Sequence, residues 1–251
     1  MSCHCGQPAI SERNLCQEHF CAWLEHTVKE TIQHYDMIHE GEKVLVAASG
    51  GKDSLTLLKI LKELGYDVTA FCVDEGIADY REKTIVDLET FCTAHAIPVV
   101  IKTFKEEKGS TLDELDPKNP CTQCGLWRRD LIASTAKEFD VVATGHNLDD
   151  EAQAILMNVF KNHAMKPQPV LAGNAMFTRK IKPLYFIPEA DIKRYAFIHD
   201  LVSEFTECRN ANKSHRRTVQ EFLENRERET PGAKERLVRN YLQKIVTSQS
   251  S

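Results

Sequence analysis

The stretch Ser49-Gly50-Gly51-Lys52-Asp53-Ser54 constrains this chain more than any other. It lies between an apolar run, Val44-Leu45-Val46-Ala47-Ala48, and a helix-forming segment that extends to Leu64 and is closed by Gly65. A buried strand, a glycine-rich turn and a helix, in that order, aim backbone N–H groups and a helix N-terminus at an anion. Gly50 and Gly51 let the backbone approach a phosphate closely, and Lys52 supplies a point charge. The turn follows the first strand of the expected sheet, where open α/β folds bind ligands.

The alternation continues along the chain. Residues 67–73, 97–104, 141–144 and 180–186 read as strands, and residues 79–95, 122–138 and 149–162 as helices. Strands alternating with helices predict an α/β, doubly wound parallel sheet covered on both faces. An amphipathic helix is expected over residues 23–38, a mobile polar loop over 105–119, and charged helices after Asn210 that break near Pro231-Gly232. With 251 residues, 42% of them hydrophobic, there is material for one sizeable domain with small appendages. The expected boundaries are a metal finger at 1–21, a linking helix at 22–42, the nucleotide-binding domain at 43–205 and a basic helical segment at 206–251. No apolar run is long enough to cross a bilayer, and the Cys-, His- and charge-rich first twenty residues do not resemble a secretory signal. The expectation is a cytoplasmic protein with no membrane partner.

Two familiar phosphate loops fail here. A Walker loop needs glycine where Val46 stands and Ser or Thr where Asp53 stands, and no Gly-x-Gly-x-x-Gly fingerprint is present. What remains, Ser-Gly-Gly-x-Asp-Ser, is the signature of ATP pyrophosphatases, which cleave between the α and β phosphates. The site predicted for ATP comprises Ala48, Ser49, Gly50, Gly51, Lys52, Asp53 and Ser54, with Asp53 suited to Mg²⁺. A second element, Gly145-His146-Asn147-Leu148-Asp149-Asp150, follows the strand at 141–144 and opens another helix. Asp149 and Asp150 can cap that helix, but paired carboxylates beside a phosphate site more naturally hold metal or position the reacting group.

Nine cysteines is a high count for a compartment in which disulfides do not persist, so metal or redox chemistry is indicated. Cys3, Cys5, Cys16 and His19 supply four ligands for a structural Zn²⁺, with Cys21 as a spare. Cys72 and Cys92 sit in apolar stretches and read as core residues. Cys121 and Cys124 flank a helix start, where thiol pKa falls, and Cys208 stands alone. Those three thiols can hold an iron–sulfur cluster with one iron left open, or form a catalytic disulfide pair with a resolving thiol. Spacing alone does not separate these readings.

The net charge of −5 argues against nucleic acid, but the charge is uneven. Between Arg209 and Lys244 there are ten Lys or Arg against five Glu, a basic tail on an acidic body. It reads equally as an RNA-facing surface or a solvated helical face, and Arg128 and Arg129 equally as phosphate contacts or surface ion pairs.

Taken in order, the Cys/His finger, Ser-Gly-Gly-Lys-Asp-Ser, Cys-x-x-Cys-Gly, Gly-His-Asn-Leu-Asp-Asp and a late Glu-Cys-x-Asn resemble the tRNA 2-thiouridine synthetases. The resemblance spans Cys3 to Lys244 and includes Pro231-Gly232-Ala233-Lys234. It implies a PP-loop ATP pyrophosphatase fold of the adenine nucleotide α hydrolase type and a 4Fe-4S cluster on Cys121, Cys124 and Cys208. It also implies ATP activation by Lys52, Asp53 and Asp150, with Gly145 and Asp149 near the nucleotide. The implied activity is adenylation of a uridine C2 oxygen and its replacement by sulfur, giving 2-thiouridine in tRNA. The implied sulfur donor is sulfide or a thiocarboxylated carrier protein, and the implied assembly a homodimer. Three features depart from the family pattern: the sequence holds no second ribbon of two Cys-x-x-Cys pairs, one residue is missing between Cys3 and Cys5, and Arg128 stands where some relatives have lysine. The rival readings are a tRNA 2-thiocytidine synthetase, an amidating ligase of the same fold, and an inactive tRNA-binding partner.

Overall fold

In the computed structural model, residues 2–115, 120–161, 167–174, 177–203, 208 and 215–249 are described. Six strands form one sheet in the order β3-β2-β1-β4-β6-β5: β1 (Lys43–Ala47), β2 (Asp67–Asp74), β3 (Val99–Thr103), β4 (Val141–Thr144), β5 (Val170–Leu171) and β6 (Arg179–Ile181). All pairings are parallel except β5 with β6. The alternating side chains of β1 explain why it is central. Val44 and Val46 join the core on one face, Leu45 the core on the other, and all three are fully buried. Parallel strands covered on both faces read as such continuous apolar runs.

Ten helices among the described residues surround the sheet. α1 (Gln17–His34), α2 (Lys52–Glu63), α3 (Arg81–Ala94) and α8 (Glu189–Ile198) contribute to the larger core through Phe20, Leu24, Leu57, Leu61, Leu88 and Tyr195. α6 (Pro120–Thr135) closes the other face through Cys124 and Leu131. α7 (Leu148–Lys161) meets α9 (His215–Glu229) and α10 (Ala233–Gln249) in a third core that includes Ala152, Tyr185, Leu223 and Val238. No helix is long and apolar enough to cross a membrane among the described residues.

Three expectations change. The segment expected to be a mobile loop at 105–119 contains two short helices, α4 (Phe104–Lys108) and α5 (Leu112–Leu115); residues 116–119 lie outside the described residues. Thr103 caps α4 by accepting from the Glu106 N–H, and Gly109 ends it at φ 78°. Thr111 and Glu114 form a reciprocal capping box at 3.0 and 3.1 Å. Phe104 and Leu112 anchor the segment in the core. The strand expected at 180–186 ends at Ile181, because Pro183 cannot donate to a ladder and the chain turns, with Tyr185 N–H bonding to the Lys182 carbonyl at 3.1 Å. Helix α8 was not anticipated: Pro188 precedes it, without the Ser, Thr, Asp or Asn that marks a helix start.

One charged pair is built into the core. Lys182 Nζ lies 2.7 and 2.8 Å from the two carboxylate oxygens of Glu151, and both residues are buried. Removing one member of such a pair leaves an uncompensated buried charge. Glu151→Ala is therefore expected to lower unfolding free energy by about 3–5 kcal/mol, whereas Glu151→Leu with Lys182→Met restores most of it. Denaturant midpoints check both; a silent Glu151→Ala contradicts the assignment.

Candidate nucleotide and thiol site

Two loops meet where the strand order reverses. β1 and β4 are parallel neighbours, with Ala47 opposite Thr144, so the residues after each strand emerge side by side at the same sheet edge. The turn Ser49–Gly51 leads from β1 into α2, whose N-cap residue is Gly51 and whose N-terminus carries no side-chain cap. The first-turn N–H groups of α2 have no intrahelical acceptors, which makes them donors for an anion. Ser54 Oγ bonds to the Gly51 carbonyl at 3.0 Å, and the Gly51 N–H to Ser49 Oγ at 3.3 Å, so the two serines hold the turn closed.

Gly50 is at φ 78°, and a Cβ there would stand 1.8 Å from the Thr84 carbonyl oxygen on α3. Gly145 is less tightly constrained, from the other side: a Cβ would lie 3.1 Å from the Asp53 carbonyl carbon. The loops therefore touch through glycines. Asn147, which sequence reasoning passed over, joins them. Its side-chain amide donates to Asp53 Oδ1 at 3.0 Å, and its Oδ1 accepts the Asp150 N–H at 3.1 Å. Asp150 returns a bond to the Asn147 N–H at 3.2 Å. Asp53, Asn147 and Asp150 thus form one polar group at the switch point.

Lys52 Nζ bonds Asp53 Oδ2 at 3.0 Å and Glu189 Oε1 at 2.8 Å. Burial alone would depress its pKa, but the Asp53 and Glu189 carboxylates outweigh burial and raise it, so Lys52 stays charged. Glu189 was invisible in the sequence because it opens α8, the helix without a start signal. Asp149 has other partners. Its carboxylate accepts the Glu189 N–H at 2.8 Å and pairs with Lys234 Nζ. It fastens the starts of α7 and α8 to the Pro231-Gly232-Ala233-Lys234 corner of the tail, which places that corner beside the nucleotide loops.

Two of the three thiols, those of Cys124 and Cys208, belong to the core on the other face of the sheet. Cys124 is buried on α6 within the core that includes Leu45, Phe71 and Phe104, Cys208 is half-buried against that core, and Cys121 is exposed one turn earlier on α6. Burial pushes the Cys124 thiol up to about 11, opposed by Arg128 and reinforced by Glu75, Cys208 and Cys121. The candidate donors are thus two thiols on an apolar core and one exposed thiol on the preceding turn of α6. Arg128 is an ion-pair partner rather than a free cation: its Nε lies 3.6 Å from Glu75.

At the N-terminus, the ligand atoms of Cys3, Cys5, Cys16 and His19 all lie within 4.8 Å of one another. Cys5 and Cys16 sulfurs are 3.7 Å apart, and His19 Nδ1 is 3.4 Å from Cys3 Sγ and 3.2 Å from Cys16 Sγ. Sulfurs bonded at about 2.3 Å to one tetrahedral metal ion stand about 3.8 Å apart, so the cluster has the dimensions of a metal site. Its neighbour Cys21 packs into the main core instead, and burial raises its thiol to about 11. α1 begins at Gln17, so His19 stands on its first turn, and Arg13 ties the finger to α8 through Asp191 at 3.6 Å.

Gly50→Ala meets a backbone atom and a left-handed φ, which costs an L-residue about 1–2 kcal/mol before any clash. ATP affinity by calorimetry is expected to fall at least about tenfold; unchanged affinity contradicts the role of this turn.

The sequence profile of the PP-loop domain matches residues 22–225. The chain is 36% identical over 236 residues to the tRNA-5-methyluridine(54) 2-sulfurtransferase of Pyrococcus horikoshii, covering 92% of this chain and 76% of that one. It is 33% identical to cytoplasmic tRNA 2-thiolation protein 1 of Anopheles gambiae, over 91% and 73% of the two chains. The structure of the U34-tRNA thiolase NcsA from Methanococcus maripaludis with its 4Fe-4S cluster superposes with a TM-score of 0.85, at 32% identity, covering 97% of this chain and 86% of that one. The chain belongs to the PP-loop family, in its tRNA 2-thiolation branch.

Proposed function

We propose that the protein is an ATP-dependent tRNA sulfurtransferase that adenylates the C2 oxygen of a uridine and replaces that oxygen with sulfur. The observation that carries this reading is the placement of the Ser49–Ser54 turn and an Asp53–Asn147–Asp150 group on one sheet edge, with Cys124 of α6 and Cys208 in the core behind β1.

Gly50, Gly51 and the N-terminus of α2 hold the phosphates, Asp53 and Asp150 would hold Mg²⁺, and Lys52 exchanges a carboxylate partner for the pyrophosphate. The uridine O2 attacks the α phosphorus, the bond to the β-phosphate oxygen breaks, and pyrophosphate leaves. Adenylation is required because a base carbonyl oxygen is a very poor leaving group. The loop amides and Lys52 stabilise charge on the departing pyrophosphate, and a Mg²⁺ ion would add to that stabilisation. Sulfur then adds at C2, and AMP departs carrying the former C2 oxygen.

The thiol set suits a 4Fe-4S cluster held by Cys121, Cys124 and Cys208. Such a cluster, held by those three thiols, would supply iron able to bind sulfide, which would come from free sulfide or a thiocarboxylated carrier protein. The Cys3, Cys5, Cys16 and His19 site takes Zn²⁺ as a structural ion, since so short a segment needs a staple to fold. The tail helices α9 and α10, anchored by Lys234, face tRNA, and the target base is splayed out of its stack. The working form is cytoplasmic and homodimeric.

Metal analysis of anaerobically purified variants tests the division of labour. Cys208→Ala is expected to lose iron and thiolation while keeping zinc and ATP affinity, and Cys16→Ala to lose zinc. A Cys208→Ala protein that retains iron and makes thionucleoside sinks the assignment.

A further inference from the structure

The reaction above leaves one buried group of charges unused. Glu75 and Arg81, 3% and 4% exposed, follow the end of β2 and open α3, respectively. Arg81 Nη1 donates to the Ser49 carbonyl at 2.8 Å, so the guanidinium grips the first residue of the nucleotide turn from behind. Its Nε donates to the Val73 carbonyl at 3.0 Å and lies 2.8 Å from Glu75 Oε2. Glu75 Oε2 is buried yet accepts no hydrogen bond among the described residues, so its contact with Arg81 is one of charge rather than of directed bonding.

The other oxygen, Glu75 Oε1, is 3.6 Å from the Nε of Arg128, one turn after Cys124 on α6. Burial raises the Tyr80 phenol pKa, and the charges of Arg81, Glu75, Cys208 and Arg128 also act on it. The Glu75 carbonyl also accepts the Leu112 N–H at 2.8 Å, which fixes the segment against α5. A carboxylate buried between two guanidinium groups carries a desolvation penalty that its attractions seldom exceed. Stability alone is therefore a weak reason for this arrangement.

We propose that Glu75 and Arg81 are positioning residues that couple the nucleotide turn to the thiol pocket. Nucleotide bound at Ser49–Ser54 sets the Ser49 carbonyl, Arg81 follows it, and Glu75 passes the displacement to Arg128 and the Cys124 helix. The inference rests on the reading of the turn and the three thiols as two halves of one reaction. It assigns an order to that reaction: the thiol pocket responds to nucleotide before the base is sulfurated.

The test uses the full-length reduced chain free of iron and a non-cleavable ATP analogue with a methylene bridge between the α and β phosphorus atoms. The rate of Cys124 alkylation by iodoacetamide, followed by peptide mass spectrometry, is expected to change on analogue binding by at least about fivefold, the low end of coupling between sites. In Glu75→Gln the analogue binds as before but the change in alkylation disappears. Arg128→Gln, a substitution at a half-exposed side chain, must abolish the change in the same way and decides the matter if Glu75→Gln does not fold. An unaltered nucleotide effect in Arg128→Gln or in folded Glu75→Gln overturns the proposal, as does the absence of any effect in the wild type. The readout needs no turnover, so it is judged separately from thiolation; a wild-type chain that makes no thionucleoside counts against the proposed function instead.

Discussion

The parallel pairing of β1 with β4 is the constraint on which the site depends. It places two loops, distant in sequence, at one edge of the sheet, and the side-chain-free Gly50 and Gly145 let the loops touch α3 and each other. Without that contact Asn147 could not bridge Asp53 to Asp150. Everything polar at the switch point is preorganised by an apolar device: buried Val44, Leu45, Val46 and Val141 fix the strands, and the strands fix the loops.

Charge at this edge is used in two ways. Lys52, Asp53 and Glu189 form a partly accessible set whose pairings can be exchanged for a ligand. Asp149 with Lys234, Glu151 with Lys182, and Glu75 with Arg81 join elements instead, the last two as buried pairs. Adjacent residues of one helix thereby divide the work: Asp150 belongs to the bridge between the loops, Asp149 ties the tail helices to the edge, and Glu151 neutralises a core lysine.

What the sequence made legible was local. The strand–turn–helix around Ser49–Ser54 announces itself because its chemistry lies within six residues. The finger ligands were legible for the same reason, since Cys3, Cys5, Cys16 and His19 lie close in the chain and the fold brings them within contact. Asp149 could not be told from Asp150 by sequence, because its partners, Glu189 and Lys234, lie on separate helices far along the chain. Glu75, Arg81, Asn147 and Glu189 were missed for that reason: each acquires a role only through a partner supplied by the fold. The α4–α5 segment was legible in principle. Its two Thr-x-x-Glu capping patterns are in the sequence, but the polar composition around them masked the two buried anchors, Phe104 and Leu112.

The central claim is that the α phosphate of ATP is attacked by the oxygen that sulfur later replaces. A tRNA substrate carrying heavy oxygen at C2 of its uridines, incubated with ATP, a sulfide source and the iron-loaded protein, reports on that bond directly by mass spectrometry. The account predicts that each thionucleoside formed is matched by one AMP containing the heavy oxygen, with unlabelled pyrophosphate. Thionucleoside formed alongside unlabelled AMP would contradict it.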